Sequence, residues 1–162
     1  MLAFILDTNP SNSFFTKRIS NEIYRYFLSG NMQPPPIFFA YASEVKKISW
    51  RQMTFSESWG TGSSRSFGQA LRCAIDLSLN NDWKNPLQII LSCLGPPTDN
   101  YVKDLKRVDQ LCNNGITNVN ILMINRNDII ADNACSITIH DMNRKNKIDF
   151  SFFNNFLQRK HI

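Results

Sequence analysis

Near the start of the chain, the residue best placed to do chemistry is Asp7, which ends the apolar run "LAFIL" and precedes "TNPS". In α/β proteins, ligands bind at the carboxyl ends of the strands, so a carboxylate there can contact a metal ion or a cationic group. Asp and Ser before a helix also commonly cap its N-terminus. Asp7 and Ser11 therefore have a structural alternative as capping residues.

Other reactive residue types form no motif that predicts catalysis. His140 and His161 have no partner Cys or Ser in a nucleophile pattern, and "GTGSS" lacks the lysine of a phosphate-binding loop. The cysteines include no CxxC pair and no histidine at ligand spacing, which argues against a structural zinc site. Each lies in an apolar stretch, so we expect buried free thiols in a reducing compartment at Cys73, Cys93, Cys112 and Cys135.

Length and composition predict one folded domain spanning residues 1–162. The 43% hydrophobic content supplies enough apolar surface to offset the entropy of ordering the chain. A net charge of +5 is compatible with nucleic acid as a partner, but the densest basic stretch is only "NRKNK" at 143–147. The start "MLAFIL" is too short for a signal peptide or a membrane span. We therefore expect an intracellular protein that makes no membrane contact.

The hydrophobic patterns alternate between strands and helices. Short apolar runs predict buried strands, and a 3.6-residue period predicts amphipathic helices. The tripeptide "PPP" is followed by two strand-like segments joined near Ser43 and Glu44, which predicts one antiparallel hairpin. The predicted strands are 2–7, 37–43, 45–53, 87–94, 119–124 and 135–140, and the predicted helices are 14–28, 67–79, 101–112 and 150–158.

This alternation predicts a doubly wound α/β fold: a mostly parallel, Rossmann-like sheet with one antiparallel edge hairpin and helices on both faces. Gly30 is expected to end the first helix, and Thr98 or Asp99 to cap the helix that begins near residue 101. Gly115 is expected to follow that helix in a left-handed conformation.

The order of these elements resembles the von Willebrand factor type A domain. A strand ends in Asp7, a Ser/Gly loop precedes the helix "FGQALRCAIDL", and the helix "VKDLKRVDQLCNNGI" leads into "VNILMI". The type A family commonly has Gly-Ile before that strand. The resemblance covers nearly the whole chain and implies a Rossmann-like sheet with a metal-ion-dependent adhesion site at the ends of its strands.

In the family, an Asp-x-Ser-x-Ser motif binds a divalent cation together with a Thr and an Asp from two other loops. The first motif aligns with Asp7, Asn9 and Ser11, and an amide oxygen at position 9 could still bind magnesium. The family threonine falls on or beside Arg65, with Ser64 as a neighbour.

The third part of the family motif also departs from the pattern. The family's Thr-Asp-Gly becomes Cys93, Leu94 and Gly95, and leucine offers no oxygen ligand. The resemblance therefore implies a degenerate metal site with no bound cofactor. We predict that the Arg65 guanidinium pairs with Asp7 in place of a cation, while the capping role of Asp7 stays open as an alternative.

Type A domains without a metal site resemble scaffold subunits of large intracellular assemblies. This resemblance implies a non-catalytic protein–protein interaction module with other protein subunits as partners. The first expected contact surface is the rim formed by residues 8–13, 56–66 and 94–99, with Trp59 as an exposed anchor. The helical faces and the hairpin edge at 46–53 come second. Trp50, which alternates with Ile48, is expected in the core.

An enzyme remains as an alternative. "LDTN" at a strand end resembles the opening of PIN-type ribonucleases, which gather carboxylates around catalytic magnesium and activate water. "MINRNDIIADNA" is partly similar to a later strand and loop of that family. Such an enzyme would use the carboxylates of Asp7, Glu44, Asp128 and Asp132.

Overall fold

A computed structural model describes residues 1–28, 35–55, 59–82, 85–142 and 151. Its six strands form one sheet in the order β3-β2-β1-β4-β5-β6. Strands β2 and β3 pair antiparallel, and every other neighbouring pair is parallel. The strands are β1 (Leu2–Asp7), β2 (Ile37–Tyr41), β3 (Val45–Ile48), β4 (Leu87–Cys93), β5 (Thr117–Met123) and β6 (Thr138–Asp141).

The helices follow the strands as crossover connections and lie on both faces of the sheet. A 3-10 turn at Pro10–Asn12 precedes the first helix, which continues through a π turn at Tyr24–Leu28. The helices are α1 (Ser13–Ile23), α2 (Trp50–Phe55), α3 (Phe67–Leu79), α4 (Val102–Asn113) and α5 (Asp128–Asp132). The predicted mixed α/β class, with one antiparallel edge strand, is confirmed.

Alternation along β1 divides the core into two layers. Every residue of β1 is buried, as expected for a parallel strand covered on both faces. Phe4 faces α1 and stacks on Phe38 with ring centroids 5.2 Å apart. Ile5 faces the opposite layer, where α3 and α4 meet through the ring contact of Phe67 with Tyr101. The sheet therefore holds the carboxyl end of β1 rigidly between two packed layers.

The second strand of the hairpin is shorter than predicted. It ends at Ile48, and the residues from Trp50 onward form helix α2 instead. A capping box causes this switch, because Ser49 Oγ accepts from Gln52 N (3.2 Å) while Gln52 Oε1 accepts from Ser49 N (2.8 Å). Trp50 is therefore half-buried on a helix, where its ring stacks on Tyr24, rather than in the core of the sheet.

The two predicted ends of helix α4 have different outcomes. Gly115 is confirmed: it has φ +73° and donates to Cys112 O, while Ile116 donates to Leu111 O, which is a Schellman motif. The predicted caps Thr98 and Asp99 are wrong, because the N-cap residue is Tyr101, which makes no capping hydrogen bond with its side chain. Thr98 Oγ1 instead accepts from Arg65 N, just before α3, and Asp99 Oδ1 accepts from Gly68 N in the first turn of α3.

Two further predictions need correction. Strand β6 begins at Thr138, and the short helix α5 before it was not predicted. Cys93 is buried as expected, but Cys73 and Cys112 are only partly buried and Cys135 is exposed. All four thiols are free. Gly30, the basic stretch 143–147 and, apart from residue 151, the predicted helix 150–158 lie outside the described residues.

Within the ranges that the structure describes, no helix is long and apolar enough to cross a membrane.

Candidate functional site

The carboxylate of Asp7 forms a buried ion pair at the carboxyl edge of the sheet. Arg65 Nε lies 2.6 Å from Asp7 Oδ2, and the two side chains are 7% and 0% exposed. Asp7 ends β1, while Arg65 lies in the loop just before α3. The predicted pairing of these two side chains is therefore confirmed as a contact between two loops far apart in sequence.

Two backbone groups complete the environment of the same carboxylate. Leu94 N donates to Asp7 Oδ2 (2.8 Å), and Asn9 N donates to Asp7 Oδ1 (3.0 Å). Both oxygens of this fully buried carboxylate thus accept hydrogen bonds from N–H donors. The alternative role as helix cap falls to another residue: Asn9 Oδ1 accepts from Ser11 N at the start of the 3-10 turn.

The rest of the Arg65 side chain is held by groups that the sequence analysis missed. Its Nη2 donates to Asn12 Oδ1, and its Nη1 contacts Pro96 O at 3.4 Å. The backbone of Arg65 also forms two hydrogen bonds with Thr98: Arg65 N donates to the Thr98 side-chain Oγ1, and Thr98 N donates to Arg65 O. A Cβ on Gly95 would lie 2.5 Å from Nη1. Of these groups around Arg65, only Gly95 was indicated by the sequence, because it aligns with the glycine of the family's third motif.

Serine and asparagine side chains fix the loop that carries Arg65. Asn9 Nδ2 donates to the carbonyl oxygens of Ser63 and Ser64, at 2.9 and 3.0 Å. Ser64 donates to Ser43 Oγ through both its backbone N and its hydroxyl. Gly62 has φ +91°, and a Cβ there would lie 2.3 Å from Ser43 Oγ. This close approach requires glycine. Asn9 and Ser64 therefore position the site instead of facing solvent.

Five of the seven predicted binding residues are buried, including Asp7 and Asn9 at the ion pair. Trp59 is 9% exposed, packs in the core layer on the α1 side and donates from Nε1 to Gln52 O at 3.1 Å. Its expected exposure is wrong, because the indole packs among these core residues and donates to the backbone of α2. Leu94 is 4% exposed, and Arg65 is turned inward to Asp7. Of the predicted binding residues, Ser11 remains exposed.

A buried thiol and a phenol lie directly beneath the ion pair. Tyr41 OH donates to Ser92 O (2.6 Å), and Asp7 N donates to Ser92 Oγ (2.7 Å). Burial raises the pKa of Tyr41 well above its ordinary value, so the phenol keeps its proton. Burial, and after it the charge of Asp7, raise the pKa of the Cys93 thiol to about 12.

The raised pKa of Cys93 predicts a loss of stability at alkaline pH. In the unfolded chain the thiol loses its proton near its ordinary pKa of 9, whereas the folded chain keeps the proton to a pKa of about 12. The contribution of the protonated thiol to the free energy of unfolding is therefore complete below pH 9. Between pH 9 and about 12 this contribution falls by about 1.4 kcal/mol per pH unit. Urea unfolding across that pH range gives the free energy of unfolding as a function of pH. Cys93→Ala should remove this part of its slope. Cys135→Ala, at an exposed thiol, is the matched control and should leave the slope unchanged.

The carboxylates of the nuclease alternative are not gathered around one point. Glu44 pairs with Lys46 at 3.2 Å and Asp128 with Arg126 at 3.1 Å, and both carboxylates are largely exposed. Asp132 ends the short helix α5. Over the part of the chain that the structure describes, no group of three or more His, Cys, Asp or Glu side chains could hold a metal ion.

Comparison with solved structures places the fold among von Willebrand factor type A domains. A type A protein from Catenulispora acidiphila matches with a TM-score of 0.66 and 12% identity, over 98% of this chain and 41% of that chain. PTMP1 from the mussel byssus, in a structure with a zinc-occupied MIDAS motif, matches with a TM-score of 0.59 and 10% identity, over 98% and 46%. This chain therefore has the type A fold, and it spans less than half the length of these two proteins.

A shorter protein gives a match of similar extent. The SpRpn10 VWA domain has a TM-score of 0.57 and 10% identity, over 98% of this chain and 93% of that chain. No protein-family model matches the sequence, and no curated protein sequence matches it either.

Proposed function

We propose that this chain is a single type A domain, residues 1–162, that binds other proteins without catalysis as a scaffold subunit of an intracellular complex. In this proposal the metal site is lost, and the Arg65 guanidinium takes the place of the cation. The ion pair between Arg65 and Asp7 carries the proposal, because it occupies the strand end where the family resemblance implies a metal.

The donor set at this strand end does not fit a divalent cation. Magnesium needs about six oxygen ligands at roughly 2.1 Å, whereas N–H groups already contact both oxygens of Asp7. Leu94 supplies a backbone donor where the family has a carboxylate. A guanidinium 2.6 Å from the remaining carboxylate would repel any incoming cation.

Metal titration tests the loss of the site. We expect calorimetry of the whole chain with magnesium and with manganese to show no binding heat. Asp7→Asn is the control for any heat that does appear. Binding by the wild type that is absent in Asp7→Asn would contradict the proposal and restore a functional cation site at this strand end.

A second test addresses the absence of catalysis. We expect the purified chain, incubated with single-stranded RNA and manganese, to leave the RNA intact. Cleavage that disappears in both Asp7→Asn and Asp128→Asn would contradict the non-catalytic proposal and favour the nuclease. If the chain binds RNA without cleaving it, a steep fall of affinity with salt would identify charge as the cause.

A third test concerns the rim as a contact surface. Ser11 and Ser63 are exposed beside the ion pair, so Ser11→Arg with Ser63→Arg alters the rim without entering the core. We expect this double variant to recover less of any co-purifying protein than the wild type. Arg107→Ser with Gln110→Arg, on the exposed face of α4, is the control. Equal recovery by the rim variant would move the interface to the helical faces or the hairpin edge.

A further inference from the structure

Among the residues that the structure describes, none covers one part of the sheet beside β2, on the face packed against α3 and α4. Ile37, Phe39 and Val45 lie on this face and are only partly buried. They line a groove between the edge of the sheet and the C-terminal half of α3, with Leu77 on the helix side. We call it the β2–α3 groove; its volume is about 590 Å³.

The interior of the β2–α3 groove is mostly apolar. Met1 and Leu87 extend the apolar surface formed by the strand residues. Cys73 also lines the groove, and burial followed by the charge of Asp76 raises the pKa of its thiol to about 12. The thiol is therefore protonated at neutral pH and packs as a small hydrophobe. A groove of this size can accept several apolar side chains.

The rim of the same groove is negative, although the chain carries a net charge of +5. Asp76 and Asp82 line it and are exposed, and within the described ranges neither carboxylate has an ion-pair partner. Helix α3 ends at Leu79 with no basic residue in its last turn, so its C-terminal carbonyl groups add partial negative charge. Three negative features thus face a ligand at one end of an apolar groove.

From these observations we infer that the β2–α3 groove binds an amphipathic, basic helix of a partner protein. Its apolar face packs on Ile37, Phe39 and Leu77, and its Lys or Arg residues contact Asp76 and Asp82. A helix suits the place because this face is covered by the helices α3 and α4 elsewhere, and a helix beside α3 would continue that layer.

The inference rests on the proposed interaction function but concerns a surface away from the ion pair. If the groove fails its test, the metal titration and the rim variants are unaffected. If those fail, the binding of a basic helix at the groove can still be measured.

The probe is a displayed library of random helical peptides, selected on the whole wild-type chain. We expect enriched peptides with apolar residues at i, i+3, i+4 and i+7 and with Lys or Arg beside them. Asp76→Lys with Asp82→Lys should weaken the selected peptide by roughly tenfold or more at low salt. Asp128→Lys with Asp132→Lys makes the same charge change on α5 and should leave binding unchanged. Methyl signals of Ile37, Val45 and Leu77 should shift when the peptide is added.

Three results would overturn the inference. The first is enrichment of peptides without basic residues, or equal binding by the Asp76 and Asp82 variant. The second is a change of the groove methyl signals in Arg159→Glu with Lys160→Glu without any peptide, because the chain's own terminus would then be the occupant. The third is a sedimentation coefficient that rises with protein concentration and is reversed by Phe39→Lys, which would make a second copy the occupant.

Discussion

Arg65→Met is expected to lower the free energy of unfolding by about 3–5 kcal/mol, because it leaves the Asp7 carboxylate buried without its cation. Asp7 is 0% exposed, so bulk water does not reach its carboxylate in the folded chain. The substitution also removes the contacts of Arg65 with Asn12 and Pro96, which connect three loops at the rim. Urea unfolding followed by circular dichroism measures the loss.

A double-mutant cycle separates the ion pair from general packing. Asp7→Asn combined with Arg65→Met removes both charges. We expect this double variant to lower the free energy of unfolding by less than the sum of the two single variants. Lys46→Met is the matched control, because its pair with Glu44 is exposed and should contribute less than about 1 kcal/mol. A loss below about 1 kcal/mol for Arg65→Met would mean that the ion pair does not stabilise the rim.

The second large effect is expected for Trp59→Ala, which should destabilise the domain by about 3–5 kcal/mol. The indole is 9% exposed, packs with the core residues on the α1 side and donates to Gln52 O. Alanine would leave a cavity in the core and remove the hydrogen bond to Gln52 O. The midpoint and slope of urea unfolding give the change in stability.

Two variants control for that prediction. Trp59→Phe keeps most of the apolar volume but loses the hydrogen bond, so it should cost only about 1–2 kcal/mol. Phe14→Ala removes an aromatic side chain that is 65% exposed and should change stability little. If Trp59→Ala unfolds at the wild-type urea concentration, the indole does not stabilise the core.

The order of strands and helices was predictable because the hydrophobic pattern within each segment indicates whether it is a strand or a helix. The continuous apolar runs of β1, β4 and β5 required burial on both faces, and the helical period of residues 67–79 required an amphipathic helix. The switch from β3 to α2 had a local signal in "SWRQ", a capping box that the strand-like composition of the region concealed.

The site was only partly predictable. Asp7 and Arg65 were paired from a family pattern of spacings, and the structure places their atoms 2.6 Å apart. Nothing in the sequence pairs Asn12, Pro96 or Thr98 with Arg65. These residues reach Arg65 only after two crossover connections bring their loops together. Trp59 was misplaced for the same reason: a tryptophan beside a Ser/Gly loop reads as exposed until α2 is known to lie beneath it.

The sequence alone determined the fold class, since the period of hydrophobic residues is a local property that dictates which face of each element must be buried. The tertiary structure decided which groups meet at the carboxyl edge of the sheet. Whether a carboxylate meets a cation, a guanidinium or water depends on loops separated by 58 residues between Asp7 and Arg65. Desolvation and ion pairing depend on distances in space, and spacing along the chain does not specify those distances.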